Sequence, residues 1–343
     1  MAGAGPERRG ITMNQARDPW LHRLAVLTVA TAVLPIFFGA MTTTKDAGMA
    51  FPDWPSSDGH NLVLYPWLRS VGDKFLEHGH RLAGVVIGLC SIALVVVAAI
   101  RERRGWVQGL AGVVLLCVIG QGLLGGQRVL LNDRGLAFVH GSFAVLVFGL
   151  MGAMATVTSA GWQRIAESPV VDIESRPVTR SPSRLKWLVA GTLCVLFVQY
   201  VLGGLVRHRG MVLYEHAGFA LIAFLLAVFS AGGAVFSNMA WLRGPAFLLV
   251  LAVTGQVFLG LGAWATRFGM PGIVDVPVAQ SSAQVFFRTA HVLGGMTVFL
   301  ATTILWLRVW RLEWVVRRDQ AAMGNRMATE SGSPMLVAGG VRG

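Results

Sequence analysis

Eight long apolar runs, separated by short polar segments, dominate the pattern of hydrophobic and polar positions along this chain. An α-helix needs about 20 apolar residues to cross a bilayer, and each run is about that long. The alternation typical of membrane β-strands is absent, so the pattern predicts helices. The predicted spans are residues 24–41, 82–100, 106–126, 136–159, 186–206, 212–236, 241–264 and 285–307.

Composition agrees with this pattern. Hydrophobic residues make up 54% of the 343 positions and charged residues only 13%, whereas soluble domains carry about 25% charge. The mean hydropathy is +0.61. The chain is therefore predicted to be an all-α integral membrane protein with eight transmembrane helices.

The net charge of +12 is distributed unevenly. If the N-terminus is cytoplasmic, most of the 29 lysines and arginines fall in cytoplasmic segments, as the positive-inside rule requires. We therefore expect both termini in the cytoplasm. A membrane topology accounts for the basic balance, so no nucleic-acid partner is expected.

A polar stretch rich in Pro and Ser divides the spans four and four. We predict an N-terminal half over residues 1–160, a cytoplasmic linker over 161–185 and a C-terminal half over 186–310. Residues 311–343 are predicted to form a disordered cytoplasmic tail. Each half is predicted to be a four-helix bundle, the two being repeats in the same orientation.

The chain has three cysteines, and all of them lie within predicted spans. No loop contains a cysteine pair, and the spacing suits neither a zinc site nor a redox CxxC motif. Packing is the expected role of Cys90, Cys117 and Cys194. The first apolar run is long and lacks a small-residue cleavage site, so no cleavable signal peptide is expected.

Four histidines occupy equivalent positions near the start of the four even-numbered spans. They are His80, His140, His216 and His291. Each has a small residue one helical turn later, on the same face, which would leave room for a flat macrocycle. Those small residues are Gly84, Ala144, Ala220 and Gly295. Even-numbered spans all run inward, so all four imidazoles are expected near the outer face.

Two facing imidazoles in a four-helix bundle can ligate a haem, and two halves predict two such sites. A lone intramembrane histidine is often only a hydrogen-bonding residue, but four equivalent ones favour a functional role. Copper or zinc is a weaker alternative. The odd-numbered spans also share a motif of Gln followed by Leu-Gly, beginning at Gln121, Gln199 and Gln256.

Glu77 precedes His80 by about one helical turn. A carboxylate there could transfer protons or stabilise a cationic intermediate, although it could also simply favour the helix dipole. The second half has no carboxylate at this spacing, because Glu215 is adjacent to His216. We therefore take Glu77 as the candidate catalytic residue.

Several arginines lie at the outer ends of spans, against the positive-inside trend. They are Arg81, Arg128, Arg207, Arg267 and Arg288. Such guanidinium groups could pair with haem propionates, although interfacial snorkelling would also explain them. The long first external loop, about residues 42–76, contains Pro52-Asp-Trp-Pro55. It could cap a site or serve as part of an aromatic belt.

These features together resemble the haem A synthase family of bacteria and mitochondria, over about residues 20–310. The resemblance rests on Pro-Asp-Trp-Pro, on Glu77-x-x-His80-Arg81, on the Leu-Gly-Gly motifs and on the four histidines. It implies an oxidoreductase that converts haem O to haem A. The C8 methyl group is oxidised to a formyl group by successive hydroxylations, with water as the oxygen source.

The resemblance also implies a division of labour between the halves. The substrate haem O and the product haem A would lie between His80 and His140, next to Glu77. A haem b cofactor would lie between His216 and His291. Arg81, Arg128 and Arg207 are the candidate cofactor-binding cations.

The implied partners are haem O synthase (protohaem farnesyltransferase) and the cytochrome oxidase assembly pathway, in a bacterial cytoplasmic membrane. The electron acceptor and any homo-oligomer are left open. Some members of the family carry paired cysteines in outer loops, which this chain lacks. Two other functions compete with the synthase: a di-haem cytochrome b that transfers electrons, and a transporter with a His/Glu proton relay.

Overall fold

The computed structural model describes residues 19–167, 182–237 and 239–331. Within these ranges the chain forms nine α-helices and no β-strand. The helices are α1 (Pro19–Thr44), α2 (Gly72–Arg101), α3 (Gly105–Leu130), α4 (Arg134–Val157), α5 (Ala160–Glu167), α6 (Pro182–Arg209), α7 (Leu213–Val235), α8 (Ala240–Phe268) and α9 (Ser282–Ser331).

All of these helices except the short α5 are long and apolar enough to cross a membrane. Each predicted span coincides with one of them over nearly its whole length. The predicted all-α, multi-pass membrane architecture is therefore confirmed. Most of the helices extend beyond the apolar run, because polar residues continue them; α2, for example, begins ten residues before its predicted span.

The helices pack in two sets of four. In the N-terminal set, α1 and α3 each contact both α2 and α4; in the C-terminal set, α6 and α8 each contact both α7 and α9. The sets meet where α4 contacts α6 and α9, and where α1 contacts α9. Small buried side chains line several helices at these contacts, which lets the backbones approach closely.

The segment predicted as a linker, residues 161–185, is helical at both of its described ends. Residues 161–167 belong to α5, and α6 begins at Pro182. The predicted linker residues between these ends lie outside the described part of the chain. The side chain of Trp162 is only 2% exposed, so α5 is attached to the bundle through a buried aromatic ring.

The tail prediction was wrong for its first part. Disorder was expected over residues 311–343, but α9 remains helical to Ser331. Residues 332–343 lie outside the described part of the chain. The reason is tertiary packing, because Leu312 and Val315 are buried.

Ion pairs hold the same stretch of α9 against α6. The buried carboxylate of Glu313 lies 2.6 Å from the Lys186 ammonium group and 2.7 Å from the Arg317 guanidinium group. It also accepts a hydrogen bond from Ser183 at 2.8 Å. A buried charge with several partners can keep this part of α9 helical. The polar composition of the sequence does not reveal these partners.

Candidate functional site

The four repeated histidines lie near the starts of α2, α4, α7 and α9, and they form two facing pairs. The ring centres of His80 and His140 are 6.1 Å apart, with the ring planes at 84°. The ring centres of His216 and His291 are 6.2 Å apart, with the planes at 88°. Each set of four helices thus contains one pair, and the two pairs have nearly the same geometry.

This spacing fits one metal ion between two imidazoles. A metal–nitrogen bond is about 2 Å, and the ring centre lies about 1 Å further, so two such rings have centres about 6 Å apart. The described residues contain no group of three or more His, Cys, Asp or Glu that could hold an ion. Each pair would thus supply two imidazole ligands, the number that a haem iron takes from the protein when both of its axial ligands are histidines.

Each imidazole packs against a glycine on the helix that precedes its own. A Cβ atom added to that glycine would lie only 2.9–3.3 Å from the imidazole Cε1 atom. The pairs are Gly39 with His80, Gly125 with His140, Gly203 with His216, and Gly260 with His291. Any side chain at these glycines would displace the ring. This is the physical role of the first glycine in the repeated motif.

A glutamine one turn before the glycine holds the backbone of the histidine helix in three of the four cases. Its side-chain Nε2 donates a hydrogen bond of 2.9–3.2 Å to the histidine carbonyl oxygen. The pairs are Gln121 with His140, Gln199 with His216, and Gln256 with His291. The repeated glutamine therefore fixes the height of each histidine relative to its neighbouring helix.

The fourth case differs. In α1 the glutamine position is occupied by Pro35, whose carbonyl oxygen lies 2.9 Å from Nδ1 of His80. A carbonyl can only accept, so Nδ1 carries the proton and Nε2 keeps its lone pair for a metal. In the other three paired histidines Nδ1 is buried and has no hydrogen-bond partner among the described residues. Among the four paired histidines, His80 is thus the one whose Nδ1 donates to a backbone carbonyl oxygen.

Sequence reasoning missed Gly39 and Pro35, because α1 carries Phe38-Gly39-Ala40 rather than Leu-Gly-Gly. The signal was available, since Pro35 and Gly39 have the same four-residue spacing as Gln121 and Gly125.

The small residues one turn after the histidines do not share one environment. A Cβ at Gly84 would meet nothing within 4 Å, whereas one at Gly295 would contact Gln256 and Tyr200. The expectation that these residues all leave space beside the imidazole therefore does not hold at Gly295.

Glu77 is buried near the start of α2, with 2% of its surface exposed. Its carboxylate lies 2.8 Å from the Arg81 guanidinium group and accepts hydrogen bonds from the backbone N–H groups of Ala50 at 2.7 Å and Phe51 at 3.4 Å. The carboxylate therefore ties α2 to the first loop, residues 45–71. In the C-terminal set, Glu215 is adjacent to His216 and exposed, so it does not correspond to Glu77.

Arg81 is directed toward the same loop. Besides Glu77, it donates hydrogen bonds to the backbone carbonyl oxygens of Phe51, Asp53 and Ser56, at 3.3, 2.8 and 2.6 Å. These hydrogen bonds hold the guanidinium group of Arg81 against the loop. Its predicted role in binding a propionate remains a prediction.

The first loop also packs on α3. Arg128 donates to the carbonyl oxygen of Gly48 at 2.9 Å, and the Trp54 indole lies directly against Gly126, where no Cβ would fit. Within the loop, Asp53 accepts hydrogen bonds from two backbone N–H groups. Burial raises the pKa of Asp53, but its hydrogen bonds outweigh this and bring the pKa below its ordinary value.

The predicted cation Arg207 connects the two sets of helices. Its guanidinium group donates to the carbonyl oxygen of Ala40 and, at 3.0 Å, to Thr44 Oγ1, both on α1. Arg207 and Arg288 are close enough for their charges to interact, and so are Arg288 and Arg267. Within the described residues none of these three arginines has an ion pair with a carboxylate, which leaves room for an external anion.

Comparison with known proteins agrees with this arrangement. The model of the family COX15-CtaA, described as cytochrome oxidase assembly protein, matches residues 22–328. Three relatives named "Heme A synthase" are similar to parts of the chain. The protein of Symbiobacterium thermophilum is 26% identical over 193 residues, which are 55% of this chain and 60% of the relative. That of Rhizobium rhizogenes is 28% identical over 136 residues, 37% of each chain.

The third relative, from Methylobacterium radiotolerans, is 26% identical over 164 residues, 45% of this chain and 43% of the relative. The chain thus spans 60% or less of the length of these relatives. The family model, in contrast, runs from α1 into the last part of α9 and includes all four paired histidines. The chain belongs to the COX15-CtaA family of cytochrome oxidase assembly proteins.

Proposed function

We propose that this protein is a haem A synthase, an oxidoreductase that converts the C8 methyl group of haem O into the formyl group of haem A. The net reaction adds the oxygen of one water to the methyl carbon and releases four electrons and four protons, in two successive two-electron steps. Membership of the family and the names of the relatives support this activity. The electrons pass to an acceptor whose identity is open.

The observation that carries the proposal is the pair of imidazole spacings. Ring centres 6.1 and 6.2 Å apart each suit one iron atom with two axial ligands. Two such sites, one in each set of helices, support a tandem repeat of two four-helix halves. The halves would comprise residues 1–160 and 186–310, joined by a cytoplasmic linker.

We place the substrate in the N-terminal set, between His80 and His140. This set has the carboxylate Glu77 on the same helix as His80, one turn away. It also has the first loop, which Trp54 and Arg128 hold across α3. If the reaction takes place at one of two haems, the two sites should differ. The carboxylate and the anchored loop of the N-terminal set supply such a difference.

We place a resident haem b in the C-terminal set, between His216 and His291. When bound there, haem b would supply a one-electron redox centre beside the substrate site. Arg207, Arg288 and Arg267 lie at the same end of this set and would favour the carboxylates of its propionates. In the N-terminal set, Arg128 would bind the propionate carboxylates, and Arg81 would add a second positive charge nearby.

The residues around the substrate have separate tasks. The Pro35 carbonyl oxygen accepts a hydrogen bond from Nδ1 of His80, which would leave Nε2 free to bind the metal. The oxidation releases protons, and Glu77 is placed to accept them as a general base. The first loop determines which molecules reach the site, since its anchors lie on α2 and α3. Delivery of haem O by haem O synthase and use of haem A in cytochrome oxidase assembly complete the proposed context.

Haem extraction tests the proposal. The protein is expressed together with a haem O supply, purified, and its non-covalent haems are extracted with acid and separated by chromatography. We expect haem A and haem O alongside haem b. Haem b alone, at two per chain, would instead favour a di-haem electron-transfer cytochrome b, which the nearly equal spacing of the two pairs also allows.

A further inference from the structure

The end of the bundle opposite the histidines has a group of arginines and tryptophans that the proposed reaction does not use. We call it the Arg311 site. Its members are Trp162 of α5, Trp241 of α8, and Arg308, Arg311 and Trp314 of α9. It lies where α5 and the first turn of α8 pack against α9.

The guanidinium group of Arg311 contacts two aromatic rings. Its guanidinium carbon lies 4.9 Å from the centre of the Trp162 ring and 4.7 Å from that of Trp314. Its Nε is buried and has no hydrogen-bond partner. Among the residues that the structure describes, no carboxylate pairs with it. A flanked guanidinium group with free donors is well suited to bind a phosphate.

Two further donors at the site are also unused. Trp162 is almost completely buried, and its indole Nε1–H has no acceptor. Arg308 donates to the carbonyl oxygen of Trp241 at 2.6 Å, but its buried Nε has no partner. Buried donors normally find an acceptor, because leaving one unpaired costs about 1–3 kcal/mol. The site thus offers several donors and lacks an acceptor.

Three carboxylates near this part of α9 do not fill that gap, because each of them is already paired with another cation. The pairs are Glu313 with Lys186 and Arg317, Glu102 with Arg104, and Asp319 with Arg318. The charged groups close enough to act on Arg311 are Arg104 and Arg318, which are both cations. The local excess of positive charge therefore favours the binding of an external anion.

We propose that the Arg311 site binds the phosphate group of an anionic phospholipid from the leaflet at this end of the bundle. The site lies just beyond the predicted apolar span of α9, residues 285–307, beside Trp310 and Trp314, which are 39% and 43% exposed. Exposed tryptophans are typical of the headgroup level of a bilayer, where basic pockets bind lipid phosphates. Inorganic phosphate has the same chemistry, but these apolar borders favour a ligand with acyl chains.

Native mass spectrometry of the purified full-length protein in detergent tests the proposal. After delipidation, the protein is incubated with phosphatidylglycerol or with phosphatidylcholine. We expect the wild type to retain one phosphatidylglycerol and no phosphatidylcholine. Arg311→Gln should lose this adduct, with binding weakened about fivefold or more. Arg243→Gln removes the same charge from an exposed position at the same end of the bundle and should behave as wild type.

Three results would overturn the proposal. One is equal retention of phosphatidylglycerol by the wild type and Arg311→Gln, and another is equal loss in Arg311→Gln and Arg243→Gln. The third is displacement of the lipid by millimolar inorganic phosphate, which would assign the site to free phosphate. If Arg311→Gln does not accumulate, Trp162→Phe replaces it, because it removes the unpaired N–H and should still weaken retention. The result does not depend on haem content, so it is separate from the proposed enzyme activity.

Discussion

Single glycines decide where the imidazoles lie. Because Gly260 has no side chain, the His291 ring can rest against the backbone of α8, and the same arrangement recurs at the other three histidines. The repeat matters for ligation, since an axial ligand must keep its nitrogen directed at the metal while the ring is packed on its other edge. Exchange of one hydrogen for a methyl group should therefore affect ligation more than folding.

Gly260→Ala should lose the low-spin haem b spectrum, because its Cβ would lie 3.0 Å from Cε1 of His291. Gly255→Ala on the same helix is the matched control, since a Cβ there meets nothing within 4 Å. Both changes gain about 1 kcal/mol in helix propensity, so a difference between them reflects the imidazole. Absorption spectra of the purified variants measure it, and a normal spectrum for Gly260→Ala would contradict the packing argument.

Glu77→Gln separates proton transfer from loop anchoring. The variant should lose haem A formation by about 10²–10⁴-fold, because the amide cannot act as a base, while keeping the haem b spectrum of His216 and His291. Glu215→Gln makes the same change at an exposed position beside His216 and should leave activity intact.

Limited proteolysis of the first loop supplies the second measurement for Glu77. If Glu77→Gln makes haem A at the wild-type rate while the loop is cut faster, Glu77 is only an anchor between α2 and the loop. Slow chemistry with an intact loop supports the catalytic role.

The residues of the site were predictable in part. The four histidines were singled out by their equivalent positions near the starts of the spans, and Glu77 by its position about one helical turn before His80. Gly39 was not predicted, because α1 lacks the Leu-Gly-Gly motif and only the four-residue spacing from Pro35 relates Gly39 to the other glycines. The hydrogen bonds from Arg81 to loop carbonyl oxygens were also not predicted, because an irregular loop leaves no periodic pattern in the sequence.

Among the elements, the first loop distinguishes the two sets of helices most clearly. It spans residues 45–71 and is held by side chains from α2 and α3, whereas the corresponding connection between α6 and α7 has only three residues, 210–212. Ring contacts between Phe51, Tyr65 and His78 give the loop its own small core. The loop is thus an ordered cover rather than a simple connection.

Trp54→Ala should loosen this cover, because the indole is the group that packs directly against Gly126 of α3. We expect faster proteolysis within the loop and loss of haem O on purification, with the haem b spectrum unchanged. Leu68→Ala, at a position 84% exposed in the same loop, should change neither. Equal proteolysis of both variants would show that Trp54 does not anchor the loop.

The helices themselves were predicted well because length and hydropathy define them in a membrane. The exceptions are α5 and the last part of α9, where the sequence is polar. Tertiary contacts stabilise these two segments. Trp162 buries α5 against α9, and Glu313 of α9 forms ion pairs with Lys186 and Arg317. Such tertiary contacts have no periodic signature in the chain.

At the scale of the whole molecule, the two sets of helices share one interface near the histidines. Phe138 of α4 packs against Gly204 of α6, where a Cβ would lie 3.0 Å from its ring, and Arg207 reaches α1. His208 lies beside Gly141 in the same region. This direct contact between the sets would suit electron transfer between the two proposed haem sites.

The topology of the whole chain gives a last prediction. An even number of spans, here eight, places the N-terminus and the C-terminus on the same side of the membrane. The starts of α2, α4, α7 and α9, which carry the four histidines, then lie toward the opposite side. Because most lysines and arginines lie on the side of the termini, the positive-inside rule places that side in the cytoplasm. Alkaline phosphatase, which is active only outside the cytoplasm, should be active when fused within residues 45–71 or 269–281. The same enzyme should be inactive, and green fluorescent protein fluorescent, when fused at the C-terminus. Active phosphatase at the C-terminus would reverse the orientation and move the histidines to the cytoplasmic side.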